Sequence, residues 1–161
     1  VELDAAALRL QVLRLQAAVA CKQVTVCVLK ACPTANAYLI YAYRSARLAD
    51  VLAQPAVQGF LAAEGYTPAP QPEGYLQQLS HRLCVQEDFP HEIGIFLGYP
   101  LGDVIGIVQN KGKNYACCGY WKAYGDAEKA EAEFARYRKC IEVYQRCFGR
   151  GVPLRRLAVA V

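Results

Sequence analysis

Methionine is absent from this sequence, and tryptophan occurs once. The missing initiator implies a chain that is trimmed or written without modified methionines, and in the second case small gaps are closed between neighbours. No uncharged run approaches the roughly eighteen residues that a membrane span needs, and no basic-then-apolar signal opens the chain. The expected location is therefore the cytoplasm, with no membrane. There is no Cys-x-x-Cys pair, no internal repeat and no low-complexity run, which excludes the commonest redox and metal signatures, solenoids and disordered tracts.

What is present is globular. The 161 residues fit a single domain, 1–161, with one core and room to bury about two thirds of the extended-chain surface. Hydrophobic residues make up 55% and charged residues 20%, too apolar for disorder. The net charge of +4 is mild. Eight of the eighteen basic residues fall between Lys129 and Arg156, with Asp126, Glu128, Glu131, Glu133 and Glu142 among them, which reads as a solvated helix face. Eight cysteines would suit a disulfide scaffold only if the core were poor, so reduced thiols are expected. Cys27, Cys84, Cys140 and Cys147 lie in strand or helix patterns, where a free cysteine acts as a small hydrophobe.

Leu8, Val12, Leu15 and Val19 recur at helical spacing, predicting a helix over 5–20 that lies across a sheet. VTVCVLK and NAYLIYAYR are β-branched and aromatic, and the ACPTA between them makes a hairpin turn. Helix resumes at Ser45 as a cap, breaks at Pro55 and ends at Glu64 and Gly65. Pro68, Pro70 and Pro72 mark an extended connector. Leu76, Leu79 and Leu83 mark the next helix, which carries His81 and Cys84 three residues apart. Asp126 caps a long helix through Ala130, Phe134, Tyr137, Ile141, Tyr144 and Phe148, ending at Gly149. Strands over 114–124 and 154–161 complete a β-α-β unit. The predicted fold is α+β: a mixed, mostly antiparallel sheet of about four strands, built from the N-terminal hairpin and the C-terminal β-α-β unit, flanked by helices.

The stretch PHEIGIFLGYPLGDVIGIVQNKGKNYACCGYWKAYG, residues 90–125, joins two short apolar helices to an aromatic, cysteine-bearing strand. Its pairing of His91 with Glu92, its Gly98-Tyr99-Pro100 and Asn110-Lys111-Gly112 turns and the Cys118–Gly125 segment, continued by FARYRKC and RRLAVA, carry a resemblance. The chain resembles a family of bacterial proteins, frequent in anaerobic Firmicutes, catalogued as domain of unknown function 3793. The likeness is specific over 89–160 and extends to LKACPT and YLIYAYR. It implies a shared fold and carries over no mechanism.

A helix-turn-helix DNA reader fits the outline of 90–110, but the second helix, LGDVIGIVQ, offers only Gln109 and Asn110 to base edges while Asp103 repels phosphate. Nucleic acid is therefore not the expected partner. Gly106–Lys113 is not a phosphate loop, because five residues separate its glycines where four are required and helix leads to strand instead of the reverse. Lys111 and Lys113 remain candidates to meet an anion as point charges. His91 and Glu92 point about 100° apart on a helix and cannot clamp one proton together. Cys117 and Cys118 face opposite sides of a strand. Tyr120, Lys122 and Tyr124 share the Cys118 face, whereas Tyr115 and Trp121 share that of Cys117.

Two functional readings follow. The first is a non-catalytic cytosolic accessory protein that binds a small molecule or a protein partner, with Lys111, Lys113, Tyr120, Trp121 and Lys122 as ligand-binding candidates. The second is a thiol- or metal-dependent enzyme using His91 or Glu92 with Cys117 or Cys118, for which His81 and Cys84 are the remaining metal-ligand candidates. The residues identify no cofactor.

Overall fold

The computed structural model of the chain describes residues 5–32, 37–86 and 88–158. Helix α1 (Ala5–Val19) half-buries Val12 and Leu15 and buries Val19, while Leu10 and Leu13 stay exposed. A 3-10 turn over Ala20–Lys22 closes on Gln23 at φ 57° and delivers the chain into β1 (Thr25–Cys32). This strand pairs antiparallel with β2 (Ala37–Tyr43), Thr25 facing Tyr43 and Cys32 facing Ala37, with a bulge between Val28 and Lys30. Their β-branched and aromatic side chains suit a pleated, half-covered surface. The centre of the expected turn, 33–36, lies outside the described residues.

Helix α2 (Ser45–Leu52) begins one residue earlier than expected: Arg44 occupies the cap position, and the Ser45 hydroxyl lies 3.4 Å from that of Thr25 instead of capping. Pro55 opens α3 (Pro55–Ala63), where its missing N–H costs nothing, and Gly65 takes the turn out at φ 84°. Helix α4 (Pro72–Val85) then packs on β1, and the Ser80 hydroxyl donates to the Leu29 carbonyl at 2.6 Å. Leu76, Leu79 and Leu83 face inward at three- and four-residue spacing, and Leu79 is 0% exposed. Truncating such a side chain to alanine costs about 2–5 kcal/mol.

Residues 114–124 do not form one strand. Strands β3 (Cys117–Cys118) and β4 (Lys122–Ala123) pair antiparallel across a turn at Gly119–Trp121. Asn114 sits at φ 59°, which breaks any extended run before Tyr115. A Cβ on Gly119 would meet Phe134 Cδ2 at 2.4 Å, so glycine lets the turn lie directly on that ring. Helix α7 (Ala127–Gly149) follows, with the Asp126 carboxylate accepting from the Lys129 N–H at 3.1 Å.

The expected final strand is also replaced. Leu154–Leu157 form a helical turn, α8, behind Pro153, with Leu154 and Leu157 on one face, and it packs against α1 and α7. Residues 159–161 lie outside the described residues. Among the described residues the β-α-β unit and the four-stranded sheet are therefore not formed. Among the described residues, the α+β fold has eight α-helices and two separate two-stranded antiparallel sheets, and is 59% helical. No helix among them is long and apolar enough to cross a membrane.

Among the described residues, the buried hydrophobic side chains other than Val19 form two clusters, where one core is expected from the sequence. The larger gathers Leu29, Tyr41, Leu48, Leu61, Leu79, Ile95 and Val104, among others. The smaller comprises Ala123, Ala130 and Phe134, with Cys117 and Trp121 packed against it. The division arises because α7 buries only Ala130 and Phe134, both within its first two turns.

Candidate functional site

Residues 90–125 position the site through two helices and the second hairpin. Helix α5 (Ile93–Phe96) buries all four of its residues, Gly98 reverses the chain at φ 77°, and α6 (Leu101–Gln109) starts after Pro100. The only charged residue of α6, Asp103, is buried at 8% exposure. Its carboxylate accepts from Trp121 Nε1 at 2.8 Å, from the Tyr124 N–H at 2.7 Å and from the Gly125 N–H at 3.2 Å. These three donors satisfy a buried charge that would otherwise be costly, and they pin β4 to α6. Gly106 completes the joint, since a Cβ there would meet Tyr124 Cγ at 2.3 Å.

The clamp holds Trp121 in an aromatic stack. Its ring lies 4.9 Å from that of Tyr99 at 26°, and Phe134 meets it edge-on at 4.6 Å. The Tyr99 hydroxyl donates to the Tyr120 carbonyl at 3.3 Å, and the Lys122 ammonium donates to the Gly112 carbonyl at 2.7 Å beside the Tyr115 ring. Between α5, α6 and the hairpin lies a cavity of about 480 Å³. Its walls include Ile93, Leu97, Tyr99 and Val104 together with His91, Cys118, Tyr120, Trp121 and Lys122. The volume lies in the usual range for small-molecule sites. A larger cavity of about 680 Å³ opens beside β2 and α2 and holds none of the sequence candidates.

Cys118 stands opposite Lys122 in the hairpin register, so both side chains share a face, and the tight turn brings Tyr120 and Trp121 to the same cavity. Trp121 packs with Cys117 against the small core, as alternation expects, and its ring also reaches the cavity. Cys117 does not line the cavity, and its Sγ lies 3.8 Å from the Ala127 carbonyl. Burial, then the nearby carboxylates Glu131 and Asp103, push its thiol up, away from the reactive thiolate.

His91 and Glu92 part company. His91 is exposed at the cavity, edge-on to Phe89 at 6.2 Å. Glu92 is buried at 4% exposure, 3.4 Å from Arg82 Nη1, and accepts from the Tyr66 hydroxyl at 3.2 Å. The Arg82 guanidinium lies 4.3 Å from the Tyr66 ring centre and also donates to the Glu64 carbonyl at 2.6 Å. Burial and the Glu92 charge push the Tyr66 phenol far up, so it stays a donor. Glu92 thus ties the α5 entry to α4. It does not line the cavity.

Lys111 and Lys113 are exposed on the Asn110–Lys113 turn and do not line the cavity either. His81 and Cys84 lie on α4 beside a separate cavity of about 510 Å³ that also meets Cys27 and Glu73. Among the described residues, no three His, Cys, Asp or Glu side chains gather as a metal-binding group. Sequence reasoning missed Asp103 and Tyr99 as site builders and Arg82 as the partner of Glu92. Asp103 left a signal, because a single acid in an otherwise apolar helix needs buried donors.

The geometry defines an α+β protein whose last hairpin is clamped by a buried carboxylate over an aromatic cavity. The chain belongs to the protein family of unknown function DUF3793, whose family model matches residues 4–158. No curated protein and no solved structure matches it.

Proposed function

We propose that this is a bacterial, cytoplasmic accessory protein that binds a small, flat, largely apolar molecule in the Tyr99–Trp121 cavity without converting it. The observation that carries this reading is the convergence of His91, Cys118, Tyr120, Trp121 and Lys122 on one cavity beside a preformed aromatic stack. Ring faces held in place by Asp103 offer stacking at little ordering cost. Lys122 spends one ammonium donor on Gly112 and keeps others for an anionic edge of the ligand.

The enzyme reading retains one supporting observation, that His91 and Cys118 border the same cavity. Glu92 is engaged by Arg82 and Tyr66, and the Cys117 thiol is held in its protonated form, which leaves that reading fewer groups to work with. Native mass spectrometry of freshly purified protein tests the two together, reporting any copurified ligand or metal. A bound organic molecule whose retention is lost in Trp121→Ala supports the proposal. Turnover that vanishes in His91→Ala or Cys118→Ser defeats it.

A further inference from the structure

The two edges of the N-terminal hairpin differ in what covers them. On the outer edge of β1, the Val26 N–H donates to Gln16 Oε1 at 2.6 Å, Gln16 Nε2 donates to the Val24 carbonyl at 3.2 Å, and the Ser80 hydroxyl donates to the Leu29 carbonyl. Side chains of α1 and α4 thus satisfy that edge. In the register, Val26 faces Ala42 and Val28 faces Ile40. Because the Val26 N–H points away from β2, these are non-hydrogen-bonded pairs, and the N–H and C=O groups of Ile40 and Ala42 point away from β1. Among the described residues, no hydrogen bond meets those groups.

Open strand edges are ordinarily blunted by charge, proline or a bulge. Strand β2 has none of these: Ala37–Tyr43 contains no charged residue and no proline, and the bulge lies in β1. Its edge opens instead into the cavity of about 680 Å³, which Ile40, Tyr41, Ala42 and Tyr43 all line. Neighbours in a strand point to opposite faces, so a space that touches four in a row runs along the edge. Apolar residues of α2 and α5 line the same space, Leu48 and Ile95 among them. Arg44 and Arg47 line it too, and no acidic residue does. The Arg44 guanidinium is positioned by the Lys22 carbonyl, to which it donates, while Arg47 is exposed and forms no ion pair among the described residues.

We propose that the open edge of β2 is the docking site for an extended, acidic segment of a protein partner. The segment adds a third strand by pairing with Ile40 and Ala42, and it sets its carboxylates against Arg44 and Arg47. Backbone pairing supplies the affinity, and the two guanidinium groups select the acid. A helical ligand could not use the outward groups of β2, because its own backbone is bonded internally. A second copy of this chain is disfavoured, since pairing two such edges gathers four arginines and no carboxylate around one joint cleft. The cleft shares only Leu97 with the Tyr99–Trp121 cavity, so either proposal can fail without the other.

Fluorescence anisotropy tests it with a labelled peptide of alternating valine and threonine that ends in two glutamates. Controls are the same peptide with lysine for glutamate and the same peptide with N-methylated backbone amides, which cannot donate to a strand. The acidic peptide is expected to bind and to slow amide hydrogen exchange at Ile40 and Ala42. Binding should weaken about tenfold in Ala42→Pro, which removes one outward N–H and leaves the β1 ladder intact. A similar loss is expected in Arg47→Glu, a change at an exposed residue. Circular dichroism checks both folds; if Ala42→Pro is unfolded, Arg47→Glu and the N-methylated peptide still decide. Absence of binding, equal binding of either control peptide, or unchanged exchange at Ile40 and Ala42 overturns the proposal. So does sedimentation of the free protein as a dimer that already protects those two amides.

Discussion

Replacing Asp103 by asparagine keeps the shape of the side chain and removes one acceptor. The remaining oxygen still faces the Tyr124 and Gly125 N–H groups, while an NH2 group now confronts the Trp121 indole N–H, donor against donor. Losing a hydrogen bond to a charged group costs about 1.5–3 kcal/mol, and weakening the other two from charged to neutral adds roughly another 1. The expected loss is therefore about 3 kcal/mol. Trp121 is the sole tryptophan, so its emission reports on the clamp without competing signals. In urea, with a slope of about 2 kcal/mol per molar, the unfolding midpoint should fall by roughly 1.5 M, and the native emission should shift to the red as the hairpin loosens. An unchanged midpoint together with unchanged native emission would show that Asp103 does not hold the hairpin, and the account of the site would be wrong.

Three further outcomes follow from the same contacts. Gly106→Ala should destabilise by about 1–3 kcal/mol in the urea assay despite the better helix propensity of alanine, because the new methyl meets the Tyr124 ring; a stabilised variant refutes the close approach. Arg82→Ala leaves the buried Glu92 carboxylate without its cation and should cost about 3–5 kcal/mol, whereas the paired change Arg82→Met/Glu92→Leu should recover most of it; equal losses in the two proteins would remove the ion pair as the cause. Asp126 is held below its ordinary value of 3.8, chiefly by the Lys129 N–H. A depressed folded-state value contributes stability that is present above the unfolded value and lost as pH falls through the folded one, so thermal stability should drop below about pH 4. Asp126→Asn, which still caps, should flatten that part of the profile, and an unaltered acid limb would assign it to other carboxylates.

Long periodic segments were legible in the sequence, as the long helix and the N-terminal hairpin show. The strand over 114–124 misled because its tyrosines and tryptophan suit a strand, but the close approach of Gly119 to Phe134 is a tertiary fact that no local pattern displays. The end of the chain misled for a related reason: Leu154 and Leu157 find partners on α1 and α7, and a docked helical turn wins over an extended strand with no sheet to join. At the site, Cys118, Tyr120, Trp121 and Lys122 were chosen as neighbours in sequence, and the turn gathered them further. Glu92 stands beside His91 in sequence, yet its role depends on Arg82 and Tyr66, ten and 26 residues away, which meet it only in the folded chain.

The shared duty of Trp121 couples occupancy to folding. One edge of its indole closes the Asp103 clamp, and its ring is also a wall of the cavity. A molecule stacked there stabilises the folded hairpin by mass action, and at a hundred times its dissociation constant that amounts to about 2.7 kcal/mol. This is close to the loss expected for Asp103→Asn, so a saturating ligand should restore the melting temperature of that variant. A panel of compounds scored for rescue of the weakened protein thereby becomes a search for the natural occupant.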